Sequence, residues 1–345
     1  MSKILVTGGL GYIGSHTAVE LLARGHEVVV ADNLANSRAE VLDGIESISG
    51  VRPVWENVDL AETSACSAFL EKHQDFDAII HFAAFKAVGE SVGEPLDYYH
   101  NNIGSLVNLL GYVKAKPDCA FIFSSSCTVY GQADELPIRE SSPVKPAESP
   151  YGNTKQIGEE IIRDAANAYG FKAVALRYFN PVGAHPSGKI GELPLGVPQN
   201  LVPFITQSAA GLRGALKVFG NDYDTVDGTC VRDYIHVVDV ANAHILAMER
   251  LVAGQTEGAV EVFNLGTGTG SSVLQVLNTF TEATGIELEW DFTDRRPGDA
   301  IAIFADTKKA RETLGWRAVL PLKQSMIDAW RWQQALGGNA PGGAT

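Results

Sequence analysis

The apolar residues of this chain fall into short β-branched runs that alternate with longer stretches in which apolar positions recur every three or four residues. The runs Ile4 to Val6 and Glu27 to Ala31 are too short for helices and rich enough in Val and Ile for buried strands. Val51 to Asn57, Asp77 to Phe82, Ala120 to Ser125 and Lys172 to Arg177 read the same way. Ile13, Val19, Leu21 and Leu22 predict a helix after the first strand, and further helices are predicted at about Glu62 to Lys72, Pro95 to Lys114 and Tyr151 to Tyr169. Strict alternation of strand and helix predicts an α/β protein built on a doubly wound parallel (Rossmann) sheet. Ligands of such sheets sit beyond the carboxyl ends of the strands, which singles out Thr7 to Gly14, Asp32 and Asn33, Asp59 and Leu60, Phe82 to Lys86, Ser124 to Cys127, and Tyr178 to Pro181.

From about Asn180 the alternation fails, and Pro and Gly cluster between Gly183 and Pro198. Residues 1–180 are therefore expected to form the first domain and residues 181–336 mainly a smaller mixed α/β domain, with some late elements returning to the first sheet. Its helices are expected at Val237 to Leu251, Ser272 to Ala283 and Leu322 to Gln334, and its strands near Val218, Val231 to His236 and Val262 to Leu265. Residues 337–345 read as a flexible tail.

The glycines after the first strand read as G-x-G-x-x-G (Gly9, Gly11, Gly14) or as T-G-x-x-G-x-x-G from Thr7. Gly8 allows the tight turn, Gly11 the close approach of backbone to a pyrophosphate, and Gly14 close packing of helix on strand, with the helix N-terminus facing the anion. Glycines alone make only a turn, but Asp32 ends the second strand roughly 20 residues on, where a carboxylate accepts hydrogen bonds from adenosine ribose hydroxyls. The same carboxylate repels a 2′-phosphate, so NAD is expected rather than NADP. This first domain is thus expected to bind NAD.

Composition narrows the partners. The 345 residues, 45% apolar and 20% charged, suit one large or two coupled globular domains, and 41 acidic against 27 basic side chains give a formal charge of −14. That balance disfavours nucleic acid or an anionic membrane as a partner, and an anionic substrate needs local arginines. No apolar stretch approaches the length of a membrane span, and the chain enters a strand at once, so a cytoplasmic location is expected. Cys66, Cys119, Cys127 and Cys230 show no C-x-x-C spacing, and no metal site is expected.

Tyr151 and Lys155 form a Y-x-x-x-K pair after Pro150, a residue suited to the first turn of a helix. One turn apart, they share a face, and the Lys155 ammonium together with a cationic nicotinamide ring favours the Tyr151 phenolate as a general base. Tyr112 and Lys116 repeat the spacing, so spacing alone decides nothing. Tyr151, however, follows the serine-rich strand end Phe121 to Ser126 that emerges at the ligand edge, and Tyr112 has no such partner.

These residues, with the segments D-N-L-A-N-S, H-F-A-A-F-K-A-V-G-E-S-V, S-S-S-C-T-V-Y-G, L-R-Y-F-N-P-V-G-A-H-P-S-G, D-G-T-C-V-R-D-Y-I-H-V and R-R-P-G-D, resemble the extended short-chain dehydrogenase/reductase family from about residue 2 to about residue 335. Within it the chain is most similar to the branch that inverts C4 of UDP-hexoses. The resemblance implies a tightly held NAD contacted by Gly8, Gly11, Tyr12, Ile13, Asp32, Asn33, Asn36, Ser37, Asp59, Leu60, Phe82, Ala83, Lys86, Asn101, Tyr151, Lys155 and Tyr178. It also implies that Ser126 lies beside the sugar 4-hydroxyl, and that Asn180, Asn200, Leu201, Phe219, Arg232, Arg296 and Asp299 hold UDP. Two arginines in an acidic chain suit a diphosphate. Ile303 matches the wall of the sugar pocket, where an aromatic residue excludes N-acetylated sugars and a small one admits them. The helices at Pro95 to Lys114 and Tyr151 to Tyr169 match a dimer-forming pair, which makes a homodimer the expected assembly. Rival readings are an N-acetylhexosamine epimerase, a nucleotide-sugar dehydratase or decarboxylase, and a non-catalytic NAD sensor. A dehydratase uses an Asp-Glu pair where this chain has Cys127 and Thr128, and a sensor commonly lacks the Tyr-Lys pair. His236 is expected to be structural.

Overall fold

The short β-branched runs at the centre of the sheet become strands because their side chains are covered on both faces. The computed structural model describes residues 1–338 apart from Pro297. Lys3–Thr7 (β1), a glycine turn and Tyr12–Ala23 (α1) lead to Glu27–Ala31 (β2), Val41–Ser49 (α2), Val54–Glu56 (β3), Thr63–Lys72 (α3), Ala78–His81 (β4), Val88–Gly93 (α4), Pro95–Ala115 (α5), Ala120–Ser126 (β5), a 3-10 turn at Cys127–Tyr130, Pro150–Tyr169 (α6) and Ala173–Tyr178 (β6). The later chain adds Asn180–Val182 (β7), Leu201–Ala209 (α7), Leu216–Phe219 (β8), Val231–Arg232 (β9), Tyr234–His236 (β10), Val237–Val252 (α8), Val260–Leu265 (β11), Ser271–Ser272 (β12), Val273–Thr284 (α9), Trp290–Thr293 (β13), Ala302–Ile303 (β14), Lys308–Leu314 (α10) and Leu322–Gly338 (α11).

Seven strands form one parallel sheet in the order β11-β6-β5-β4-β1-β2-β3. Register aligns their carboxyl ends: Thr7 lies beside both Ala31 and His81, and Ser126 beside Tyr178. Alternation along each strand sends Ile4, Val6, Val28, Val30, Ile80, Ile122 and Val174 to the face that packs with Val19, Leu21, Ile45 and Ile245 of α1, α2 and α8. Leu5, Val29, Ile79, Phe121 and Ala175 go to the opposite face, against Phe69, Leu106, Leu109 and Ile162 of α3, α5 and α6. A smaller core of Val202, Ile205, Val218, Val276, Phe280 and Met326 joins α7, β8, α9 and α11.

Four details differ from the pattern of the sequence. The run Val51 to Asn57 is a strand only over Val54–Glu56, at the sheet edge, where it pairs with β2 alone. Val231 to His236 is broken into β9 and β10 at Asp233, whose fully buried carboxylate accepts from the amides of Thr267, Gly268 and Ala305. Helix α7 arises beside the Pro- and Gly-rich segment because Val202 and Ile205 reach the smaller core. Helix α11 runs through Gly338, so residues 337 and 338 are helical rather than tail, and residues 339–345 lie outside the described residues.

Several histidines are folded into this core uncharged. Burial lowers His16 and His81 to about 3 and His244 to about 4. Lys155 adds to the effect at His81, whereas backbone hydrogen bonds oppose it at His16 and His244. Their folded values lie below the unfolded reference, so the unfolded chain binds more protons and stability falls as pH drops through about 6.5 toward about 3. Each histidine contributes a slope of up to about 1.4 kcal/mol per pH unit. Urea midpoints between pH 7 and pH 5 are expected to fall, and His244→Gln is expected to flatten that slope by about one such increment. An unchanged slope in the variant refutes the assignment for His244.

Candidate active site

The C-terminal edge of the large sheet collects the chemistry. Gly8 adopts φ +65°, and a Cβ there would lie 2.8 Å from the Ala83 amide nitrogen; at Gly14 it would lie 2.3 Å from the Gly8 carbonyl oxygen. Both positions therefore exclude side chains, and the turn closes flat against β4 and α1. Gly11 caps α1 without a side chain, and the first turn of that helix carries no acid, so its amides are free for an anion. Tyr12 and Ile13 open the helix; the Tyr12 hydroxyl donates to the Gly183 carbonyl at 2.7 Å, tying the turn to the smaller half of the molecule.

Asp32 is 7% exposed and organises the adjoining loops. Its Oδ2 accepts from the Leu10 amide at 3.0 Å, and its Oδ1 accepts from the Leu34 amide at 2.9 Å and the Ser37 hydroxyl at 2.6 Å. Asn33 Oδ1 accepts from the Ala35 amide at 3.0 Å, and Asn36 is exposed on the same loop. Beyond β3, Asp59 Oδ1 accepts from the Ala61 amide, while Leu60 is buried in the core. Beyond β4, the Phe82 and Ala83 amides donate to the Thr7 carbonyl and hydroxyl. Asn101, on α5, donates to the Asn102 side chain at 2.9 Å.

Three consecutive serines end β5, and each has a different partner. Ser124 shares a hydrogen bond with the Tyr178 hydroxyl at 2.8 Å and gives its carbonyl to Lys155 Nζ at 2.8 Å. The Ser125 hydroxyl donates to Glu159 at 2.6 Å. Ser126 accepts from the Thr128 amide at 3.2 Å, and its hydroxyl is among the groups that act on the Tyr151 phenol, pulling it down against burial. Opposite them, Ser149 caps α6 at the Gly152 amide and Pro150 fills its first turn, which presents Tyr151 and Lys155 to the serines. Lys155 Nζ is 5.9 Å from the Tyr151 ring centroid and 4.9 Å from that of Phe123.

The electrostatics of this pair differ from the expectation. Burial pushes the Tyr151 hydroxyl well above 10, Tyr178 adds to this, and Ser126 pulls the other way. Burial also lowers Lys155 to about 8, against the attraction of Glu159. The ammonium is held by the Ser124 carbonyl rather than by the phenol oxygen, so the chain by itself favours the protonated Tyr151.

Tyr112 is disposed of by its contacts. Its hydroxyl accepts from the Phe76 amide at 3.2 Å, and Lys116 lies beyond the end of α5, paired with Asp75 at 2.9 Å. His236 is likewise occupied in the fold: Nδ1 accepts from the Val238 amide at the start of α8, and the ring lies 3.3 Å from Asp328.

The smaller half meets the turn after β5 through Ile303. Together with Ile303, Cys127 packs on Val129, Tyr130 and Phe179. Pairing of β14 with β9 sets Ile303 beside Arg232, which gives hydrogen bonds to the Ala300 carbonyl at 2.8 Å and to Asp299. Arg296 stacks on Phe219, its guanidinium carbon 3.8 Å from the ring centroid. Asn180 lies in β7, one residue from Phe179, and Asn200 and Leu201 begin α7. One feature of this region had no signal in the pattern of the sequence: Glu192, in the Pro- and Gly-rich segment, reaches both Lys86 and Asn200. Among the described residues, no group of three or more His, Cys, Asp or Glu side chains is placed to hold a metal ion.

A seven-stranded parallel sheet with a glycine cradle, an acid after β2 and a buried Tyr-Lys-Ser constellation defines the class, and the chain belongs to the NAD dependent epimerase/dehydratase family, whose model matches residues 4–266. More narrowly, it is 49% identical over 333 residues to the UDP-glucose 4-epimerase of Bacillus subtilis (strain 168), covering 96% of this chain and 97% of that one. A UDP-glucose 4-epimerase from Stenotrophomonas maltophila, solved with bound NAD and formylated UDP-arabinopyranose, superposes with a TM-score of 0.94 at 45% identity over 99% of this chain and 100% of that one. The Bifidobacterium longum UDP-glucose 4-epimerase, solved with NAD+ and UDP, gives 0.92 at 42% identity over 98% and 100%.

Proposed function

We propose that this protein is an isomerase that reversibly interconverts UDP-galactose and UDP-glucose with tightly bound NAD, a step of galactose metabolism. The observation that carries the reading is the convergence of Ser126, Tyr151 and Lys155 at the ligand edge of the sheet, in a chain 49% identical to such an epimerase. The chain fits the cofactor: side chains are excluded at Gly8 and Gly14, the α1 amides are open to a diphosphate, and Asp32 stands where it meets ribose hydroxyls and repels a 2′-phosphate. When bound, NAD supplies a cationic acceptor for the hydride of C4 and returns that hydride to the sugar.

The protein's own residues do the rest. Tyr151 takes the proton of the 4-hydroxyl and gives it back, Ser126 orients that hydroxyl, and the Lys155 charge favours the phenolate. Arg232, Arg296, Asp299, Phe219, Asn180, Asn200 and Leu201 anchor UDP, leaving the 4-keto sugar free to present its other face. Residues 1–180 carry the cofactor and residues 181–336 mainly the nucleotide sugar. Burial pushes the Cys127 thiol up to about 12, so neither it nor Thr128 replaces the acid-base pair of a dehydratase. Protein purified without added NAD is expected to convert UDP-galactose into UDP-glucose; NAD-saturated protein that leaves UDP-galactose unchanged rules the reading out.

Sugar size is set by Ile303, stiff at χ1 yet smaller than an aromatic ring. Ile303→Ala is expected to raise kcat/KM for UDP-N-acetylgalactosamine by about tenfold to a hundredfold, the usual effect of relieving overpacking. No gain in kcat/KM shows that Ile303 is not the wall. A homodimer formed through α5 and α6 completes the reading, supported by Leu96 and Val107, 78% and 50% exposed on α5. A cytoplasmic location suits the four free cysteines.

A further inference from the structure

Glu192 joins the two halves of the proposed site. Its backbone is fixed, because the Trp332 indole donates to its carbonyl at 2.9 Å, and a Cβ on neighbouring Gly191 would lie 2.4 Å from that ring. Its side chain is only 10% exposed, and a single oxygen, Oε1, accepts from Lys86 Nζ at 3.1 Å and from Asn200 Nδ2 at 2.7 Å. Lys86 follows β4 on the cofactor side, 47% exposed and 5.9 Å from the Tyr12 ring centroid. Asn200 stands at the N-terminus of α7 on the nucleotide side, with φ −92° and ψ 148°.

At that position an asparagine ordinarily turns its side-chain oxygen onto the first amides of the helix. The Ser149 and Ser272 hydroxyl oxygens do so for α6 and α9 and His236 Nδ1 does the same for α8, whereas Asn200 makes no such bond. The carboxylate explains the exception, since it demands a donor and draws the amide nitrogen away from the helix. Pro203, third in α7, has no N–H, so the first-turn amides left open are those of Leu201 and Val202.

We infer that Glu192 is a positioning residue: one carboxylate oxygen holds the Asn200 amide off the α7 cap and fixes Lys86 beside Tyr12, ordering a nucleotide contact and a cofactor contact together. The inference rests on the UDP-hexose reading above. Ordering both side chains before ligand arrives removes an entropic cost from binding but leaves the chemistry at Tyr151 untouched.

The test compares wild type, Glu192→Ala and Glu192→Gln as purified proteins. UDP is titrated calorimetrically, retained NAD is released by heat and read by absorbance after dialysis, and kcat and KM for UDP-galactose are measured. In Glu192→Ala the UDP dissociation constant and KM are expected to rise about tenfold with kcat within about threefold, and NAD retention to fall. Glu192→Gln keeps an acceptor for Asn200 but no charge for Lys86, so UDP affinity is expected to recover while NAD retention stays low. That split separates positioning from mere support of the fold, which would lower melting temperature, kcat and both affinities together in both variants. Wild-type binding of UDP and NAD by Glu192→Ala, or equal UDP losses in the two variants, overturns the inference alone. Wild-type protein that binds no UDP overturns the functional reading first.

Discussion

Tyr151→Phe is expected to lower kcat by about 10²–10⁴-fold, the usual worth of a positioned general acid-base, while leaving NAD content and UDP affinity close to wild type. The ring remains to fill its buried site, 7% exposed, and only the hydroxyl oxygen is lost. Burial holds that hydroxyl well above 10, so on the proposed reading it becomes a base only with the help of the Lys155 charge and of the cationic cofactor. Tyr112→Phe supplies the control within the same chain. It removes a hydrogen bond to the Phe76 amide, so it is expected to cost about 1 kcal/mol of stability and less than about twofold in turnover. Steady-state kinetics on both folded variants decide the matter, and comparable losses of turnover refute the assignment.

Glu159→Ala carries the largest expected loss of stability, about 3–5 kcal/mol, because it strands a buried guanidinium. Glu159 and Arg177 are 6% and 5% exposed; Arg177 Nε meets Oε1 at 2.8 Å, and Nη2 pairs with Oε2. Ser125 adds a third donor at 2.6 Å, and Tyr130 stacks on the guanidinium 4.8 Å away. Arg177 Nη1 already lacks a partner, so the cation cannot be resatisfied when the carboxylate is removed. The paired change Glu159→Leu with Arg177→Leu is expected to recover much of the loss, since it removes both desolvated charges. By contrast, Lys217→Ala breaks an exposed pair with Asp291 and is expected to stay within about 0.5 kcal/mol. Urea unfolding of the variants measures all three. A loss below about 1 kcal/mol for Glu159→Ala shows that the site relaxes around the free arginine.

By itself the sequence determined what depends on neighbours along the chain. Short β-branched runs between amphipathic helices admit little except a parallel sheet, since both faces of such runs must be covered. The glycine turn, Asp32 at the end of β2 and Pro150 at the start of α6 are local devices as well, so the turn, the acid and the shared face of Tyr151 and Lys155 were legible in the residues. Tertiary structure decided whatever depends on burial or on distant partners. Two Tyr-x-x-x-Lys pairs share one spacing and context along the chain favours the first; the fold adds the physical difference, burying Tyr151 and giving the Tyr112 hydroxyl to a backbone amide. The break at Asp233 comes from amides at Thr267, Gly268 and Ala305, which no local pattern announces. The meeting of Glu192 with Lys86 and Asn200 likewise spans separations of 106 and 8 residues, across a segment whose Pro and Gly suggested only a loop. Periodicity records which side of an element is apolar, whereas a titrating group takes its charge state from desolvation and from partners that folding alone brings near.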